Sequence, residues 1–195
     1  MLFTDHELYN TTMEDDRAHL DTTYTSTRGS ALAATIGSIS LISSLVVITL
    51  ISKSGQGLSS VYHRIVLGIS ISDALLSLAL ALTTLPMPTD MIYDFEGIVM
   101  GNNATCSTQG FMHAFGGIAS SCYGISLLVY YLFSIRYRWS DARFARRIEK
   151  VLHFLSVGYS CGLSLCFLFL DFYNPTPLDA WCTIVSVPWW CVGTF

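Results

Sequence analysis

The sequence predicts an all-α membrane protein with four transmembrane helices. Three observations carry that expectation. Of 195 residues, 52% are hydrophobic and 12% charged, about half the charge of an ordinary soluble domain. Nearly all the charges lie outside four apolar tracts rather than within them. The ten basic residues are also concentrated in two of the intervening loops. A soluble helix keeps a charged stripe opposite its buried face, and no tract here has one. Disordered chains, basic nucleic-acid binders and ordinary soluble enzyme cores are excluded on the same grounds.

Residues 30–52 form the first tract, 23 positions without a charge. At about 1.5 Å per residue a helix of that length crosses a hydrocarbon core of about 30 Å. Residues 65–86 form the second, broken only by Asp73, and residues 111–135 the third, which contains His113. Residues 151–170 form the fourth, with His153 near its start. Residues 1–29 are acidic and polar and lack the basic start and apolar run of a cleavable signal peptide. They read as a solvated tail. The expected organisation is therefore a tail over 1–29, helices and loops over 30–172, and an outer loop over 173–195 that leads toward a further apolar segment.

Lys53 and Arg64 flank the first connection. Arg136, Arg138, Arg143, Arg146, Arg147 and Lys150 crowd the third. Positively charged loops stay in the cytoplasm, so the N-terminus and the second connection are expected outside. The second connection carries Asp90, Asp94 and Glu96 and no basic residue. Two glycosylation sequons, at Asn10 and Asn103, fall on that same outer side. The expected location is a plasma or internal membrane, crossed several times.

Among six cysteines, Cys106 stands before the third tract and Cys182 after the fourth, both on the oxidising side, where disulfides persist. A bridge between them is expected, with Cys191 as a competing partner. No Cys/His cluster suggests a metal, and no cofactor is expected.

Asp73 is the first candidate for function. A carboxylate in mid-span is costly to insert and should face the bundle interior. Ser70 and Ser77 lie three residues before and four after it, on one helical face. The two readings are a buried polar switch or cation site, and a hydrogen bond that only fixes packing. Gly116, Ser120 and Gly124 recur at four-residue spacing, as do Gly158, Gly162 and Cys166, which is a close-packing signal. Ser120 joins Asp73, Ser70 and Ser77 as a candidate intramembrane polar site. His113 and His153 read as packed or interfacial. Tyr130, Tyr131 and Trp139 fit an interfacial aromatic belt at the basic end, and Trp181, Trp189 and Trp190 fit one at the opposite end.

An outward N-terminus, an Asp in the second span, a Cys opening the third, a basic loop and a Cys after the fourth resemble the first four helices of a seven-helix G-protein-coupled receptor. Ser70-Ile71-Ser72-Asp73, Pro86-Met87-Pro88 and Cys106-Ser107-Thr108-Gln109-Gly110-Phe111 look like the cyclic-AMP-receptor-like and secretin-like group. Ile135-Arg136-Tyr137-Arg138-Trp139-Ser140-Asp141-Ala142-Arg143 and Arg147-Ile148-Glu149 look like the second cytoplasmic loop of its members in single-celled algae. Asp171-Phe172-Tyr173-Asn174 and Trp181-Cys182-Thr183-Ile184 extend the likeness, with Thr183 where the group tends to have Trp. Tyr130-Tyr131-Leu132 stands where rhodopsin-like receptors carry Asp-Arg-Tyr, so no Arg latch is implied. The resemblance implies a receptor-like signalling protein represented by its N-terminal part. An extracellular ligand would bind at the outer side. A heterotrimeric G protein would meet Arg136, Arg138, Arg143, Arg146 and Arg147, which are equally suited to acidic lipid headgroups.

Two other classes fit the same tracts. One is a four-helix membrane organiser or adaptor. The other is a transporter or channel fragment, disfavoured by a single intramembrane carboxylate. An enzyme is not expected, since no nucleophile elbow, phosphate loop or zinc-protease motif appears.

Overall fold

The computed structural model describes residues 4–55, 57–89, 98–175 and 181–185, with backbone alone over 4–28. Five helices and one small hairpin follow in order: α1 (Thr4–Lys53), α2 (Val61–Leu82), α3 (Asn103–Tyr131), α4 (Asp141–Phe144), α5 (Lys150–Phe169), β1 (Tyr173–Pro175) and β2 (Cys182–Ile184). Four stretches are long and apolar enough to cross a membrane: Gly29–Lys53, Val61–Leu82, Asn103–Arg136 and Asp141–Phe169. The chain is a multi-pass membrane protein of all-α class.

Large apolar side chains point away from the protein, among them Ile36 (63% exposed), Leu128 (68%) and Phe154 (75%). Buried positions inside the bundle include, beside Val61, Ile65, Ala79, Ala119 and Tyr123, seven serines: Ser70, Ser72, Ser77, Ser126, Ser156, Ser160 and Ser164. Lipid tails are as apolar as leucine, so helices associate through close approach and hydrogen bonding rather than by hiding grease. Gly37 and Gly116 show the approach. A methyl group at Gly37 would meet the Ala81 backbone nitrogen at 2.8 Å, and one at Gly116 would meet that of Leu76 at 2.7 Å. α1 thus seats on α2, and α2 on α3, while α5 packs along α3.

The helix ends differ from those expected. α1 runs without a break through residues 4–28, where a tail was expected. That stretch contains no proline or glycine to stop the helix. α2 begins four residues before the expected start and takes in Arg64, a charge that finds a partner. It ends at Leu82, and Thr83 turns the chain at φ 44° ahead of Pro86. α3 starts eight residues early because Asn102 and Thr105 form a capping box, each side chain bonding the other's backbone N–H.

At the end away from the basic loops, one cluster ties α2, α3, α5 and both strands together. Cys106, in the first turn of α3, is disulfide-bonded to Cys182 in β2. Gln109, one turn further along α3 and fully buried, donates to the carbonyls of Ala79 and Thr83, both at 2.8 Å. Those carbonyls end α2 and lack helical partners. Its Oε1 accepts from the Cys182 N–H at 3.0 Å. Tyr173 of β1 lies on Gly110, and its hydroxyl donates to the Ser164 carbonyl of α5 at 2.9 Å. Burial pushes this phenol above its ordinary pKa, so it remains a donor at neutral pH. The hairpin pairs antiparallel, Tyr173 with Ile184 and Pro175 with Cys182. Cys191, the competing thiol, lies outside the described residues, as do Trp189 and Trp190.

Candidate functional site at the basic end of the helices

Arg64 projects from the first turn of α2. Its guanidinium makes a two-point fork with Glu149: Nη2 donates to Oε2 at 2.7 Å and Nε to Oε1. Nη1 donates to the Leu58 carbonyl and, at 3.1 Å, to that of Ser59. Glu149 sits at the end of a π turn, Ala145–Glu149, that joins α4 to α5. One helical turn on, His153 Nε2 lies 3.5 Å from Glu149 Oε1, and its Nδ1 lies 3.1 Å from the Tyr123 hydroxyl. The tautomer protonated on Nε2 satisfies both contacts, donating toward the carboxylate and accepting from the phenol. Tyr123 in turn lies against Gly68 of α2. One polar chain therefore links α2, α3 and α5.

Beneath it, Phe144 of α4 is fully buried between Tyr130 (5.3 Å between ring centres) and Phe133 (6.1 Å). The Tyr130 hydroxyl donates to Asp141 Oδ1 at 3.0 Å. The two acids of the basic loop, Asp141 and Glu149, are thereby engaged. The cations have no acidic partner among the described residues. Arg136, Arg138, Arg143, Arg146, Arg147 and Lys150 are all exposed, and none forms an ion pair among the described residues. Arg143 lies over the Trp139 ring at 5.6 Å, and Arg146 Nε donates to the Ala142 carbonyl at 3.2 Å. This end of the molecule presents a concentrated positive surface where the apolar helices stop.

The intramembrane quartet is not gathered into a site. Asp73 is half-buried and accepts no hydrogen bond from any described residue. The Ser70 hydroxyl turns back to the Val66 carbonyl at 2.9 Å, the local bond a helical serine makes most easily. Ser77 donates to Ser40 of α1 at 2.9 Å and so joins two helices instead of solvating Asp73. Ser120 is half-buried and makes no hydrogen bond with the described residues. His113 packs on Trp181, with ring centres 5.9 Å apart. Asn103 is exposed in the first turn of α3, and the Asn10 side chain lies outside the described residues.

The small-residue repeats divide in the same way. Gly116 is a contact, but Gly117, Gly124 and Gly162 have open space where a side chain would stand. Sequence reasoning missed Arg64–Glu149 and Gln109. A signal existed for both. Arg64 is a lone cation at the edge of an apolar tract and Glu149 an acid among arginines. Gln109 falls one helical turn after a disulfide cysteine, on the same face.

No protein-family model matches this chain, and no characterised protein matches it in sequence.

Proposed function

We propose that the chain is a receptor-like signalling protein of the G-protein-coupled type. Its basic end would face the cytoplasm, and its disulfide-stapled end the outside. One observation carries the reading: Cys106 opens the third membrane helix and bonds to a hairpin directly after the fourth. Such a staple holds an outer loop over the helix ends, where a ligand arriving from outside would bind. The unpaired cations at the other end supply a docking surface for a G protein. In this orientation Asn10 and Asn103 are open to glycosylation in the secretory lumen, and the host is a surface or internal membrane.

The test uses the product of the complete coding sequence, reconstituted in liposomes with heterotrimeric G proteins. The reading expects guanine-nucleotide exchange above that of empty liposomes, and a several-fold loss in the Arg143→Gln, Arg146→Gln, Arg147→Gln triple variant. Exchange at background with every G-protein class would reject it in favour of a membrane organiser.

A further inference from the structure

The outward face of α3 ends in a groove that the receptor reading does not use. α3 runs into a π turn, Leu132–Arg136, which shifts the facing of the residues beyond it. The chain then reverses at Arg138, held at φ 51°, a conformation that long side chains rarely adopt. The Trp139 N–H bonds the Phe133 carbonyl at 3.1 Å, and the two rings pack with centres 4.8 Å apart. These contacts fix the reversal. They leave a groove of about 660 Å³ lined by Tyr131, Leu132, Ile135, Arg136 and Arg138.

The chemistry of this groove is divided along its length. Leu132 and Ile135 form its apolar side. They continue an exposed stripe, Ile125, Leu128, Leu132 and Ile135, at the three- and four-residue spacing of one helix face. Arg136 and Arg138 form its polar end, and neither meets a carboxylate among the described residues. Guanidinium groups bind phosphate oxygens in pairs. The stripe lies where lipid tails run, and the arginines lie where headgroups begin. A soluble phosphate would use only half of this surface.

We infer that the groove holds one anionic phospholipid, its phosphate between Arg136 and Arg138 and one acyl chain along Ile125, Leu128, Leu132 and Ile135. The inference does not depend on the receptor reading or on which leaflet the basic end faces. It assigns the six cations unequal roles. Arg136 and Arg138 hold a particular lipid, and Arg146 and Arg147, which do not line the groove, add to lipid binding only a general attraction.

The full chain, purified in detergent with phosphatidylcholine and a minor share of phosphatidic acid, would be examined by native mass spectrometry. Wild type should retain one phosphatidic acid in preference to phosphatidylcholine. Arg136→Gln with Arg138→Gln removes the charge-assisted hydrogen bonds to the bound phosphate as well as two charges, and should weaken lipid retention by about tenfold or more. Arg146→Gln with Arg147→Gln removes the same charge and should lose less than about threefold. Leu132→Asn should weaken retention with both arginines intact. Equal losses in the two arginine pairs, or no loss in the first, would overturn the inference. So would displacement of the lipid by glycerol phosphate at matching concentration, since the headgroup alone would then suffice.

Discussion

Gln109 joins three elements, α2, α3 and β2, through one side chain. Its amide donates to two carbonyls at the end of α2 and accepts from the backbone of β2; the Ala79 and Cys182 bonds are buried and the Thr83 bond partly so. Leucine fills the space without the hydrogen bonds, and each buried polar group left unpaired costs about 1–3 kcal/mol. Gln109→Leu should therefore lower the thermal midpoint in detergent markedly, whereas Gln109→Glu, which keeps one acceptor but no donor, should do no better. An unchanged midpoint in Gln109→Leu would show that the carbonyls find other partners. The Arg64–Glu149 fork is a second such case. Glu149 is nearly buried but 28% of the Arg64 side chain is exposed, so Glu149→Gln should cost about 1–2 kcal/mol rather than a fully buried pair's larger penalty. A double-mutant cycle with Arg64→Gln measures the coupling, and additive single effects would contradict it. At this scale the sequence was partly readable. A lone mid-span Asp73 attracted notice because its cost is obvious. The pairing of Arg64 with a glutamate 85 positions away is set by how helices cross, which spacing along one chain does not encode.

At the scale of elements, glycines at identical sequence spacing do different work. Gly116 faces α2 at backbone contact, whereas Gly117, its neighbour, faces open space. Gly116→Val should push α2 and α3 apart and cost about 1–3 kcal/mol, as overpacking does. Gly117→Val should stay within about 0.5 kcal/mol of wild type. Thermal unfolding of the pair in one detergent checks both, and equal destabilisation would mean the α2–α3 crossing is misassigned. The four apolar helices were legible from tract length alone, because a span must be long and uncharged whatever its neighbours. Their ends were not, because each end depends on one local device. Examples are the Asn102–Thr105 capping box, the positive φ at Thr83 and the paired charge of Arg64. The repeats announced close packing but not which face was used.

At the scale of the whole molecule, a disulfide and a glutamine clasp one end, an ion pair and a buried phenylalanine secure the other, and serines line the seams between. The Cys106–Cys182 bond spans 76 residues, and its loss should cost about 2–4 kcal/mol. Because α2, α3 and α5 are stitched independently at the basic end, reduction should loosen the hairpin while leaving helix content unchanged by circular dichroism. Loss of helix would show that the staple holds the bundle itself. The central claim is that four helices cross the membrane so that the loops around residues 55 and 143 share one side and residue 100 lies on the other. Single cysteines at Gly55, Met100 and Arg143, introduced after Cys122, Cys161, Cys166 and Cys191 are changed to serine, would be exposed to an impermeant maleimide in intact cells. The account predicts labelling at position 100, and at 55 and 143 only after permeabilisation. Labelling of 100 and 143 from the same side would contradict it.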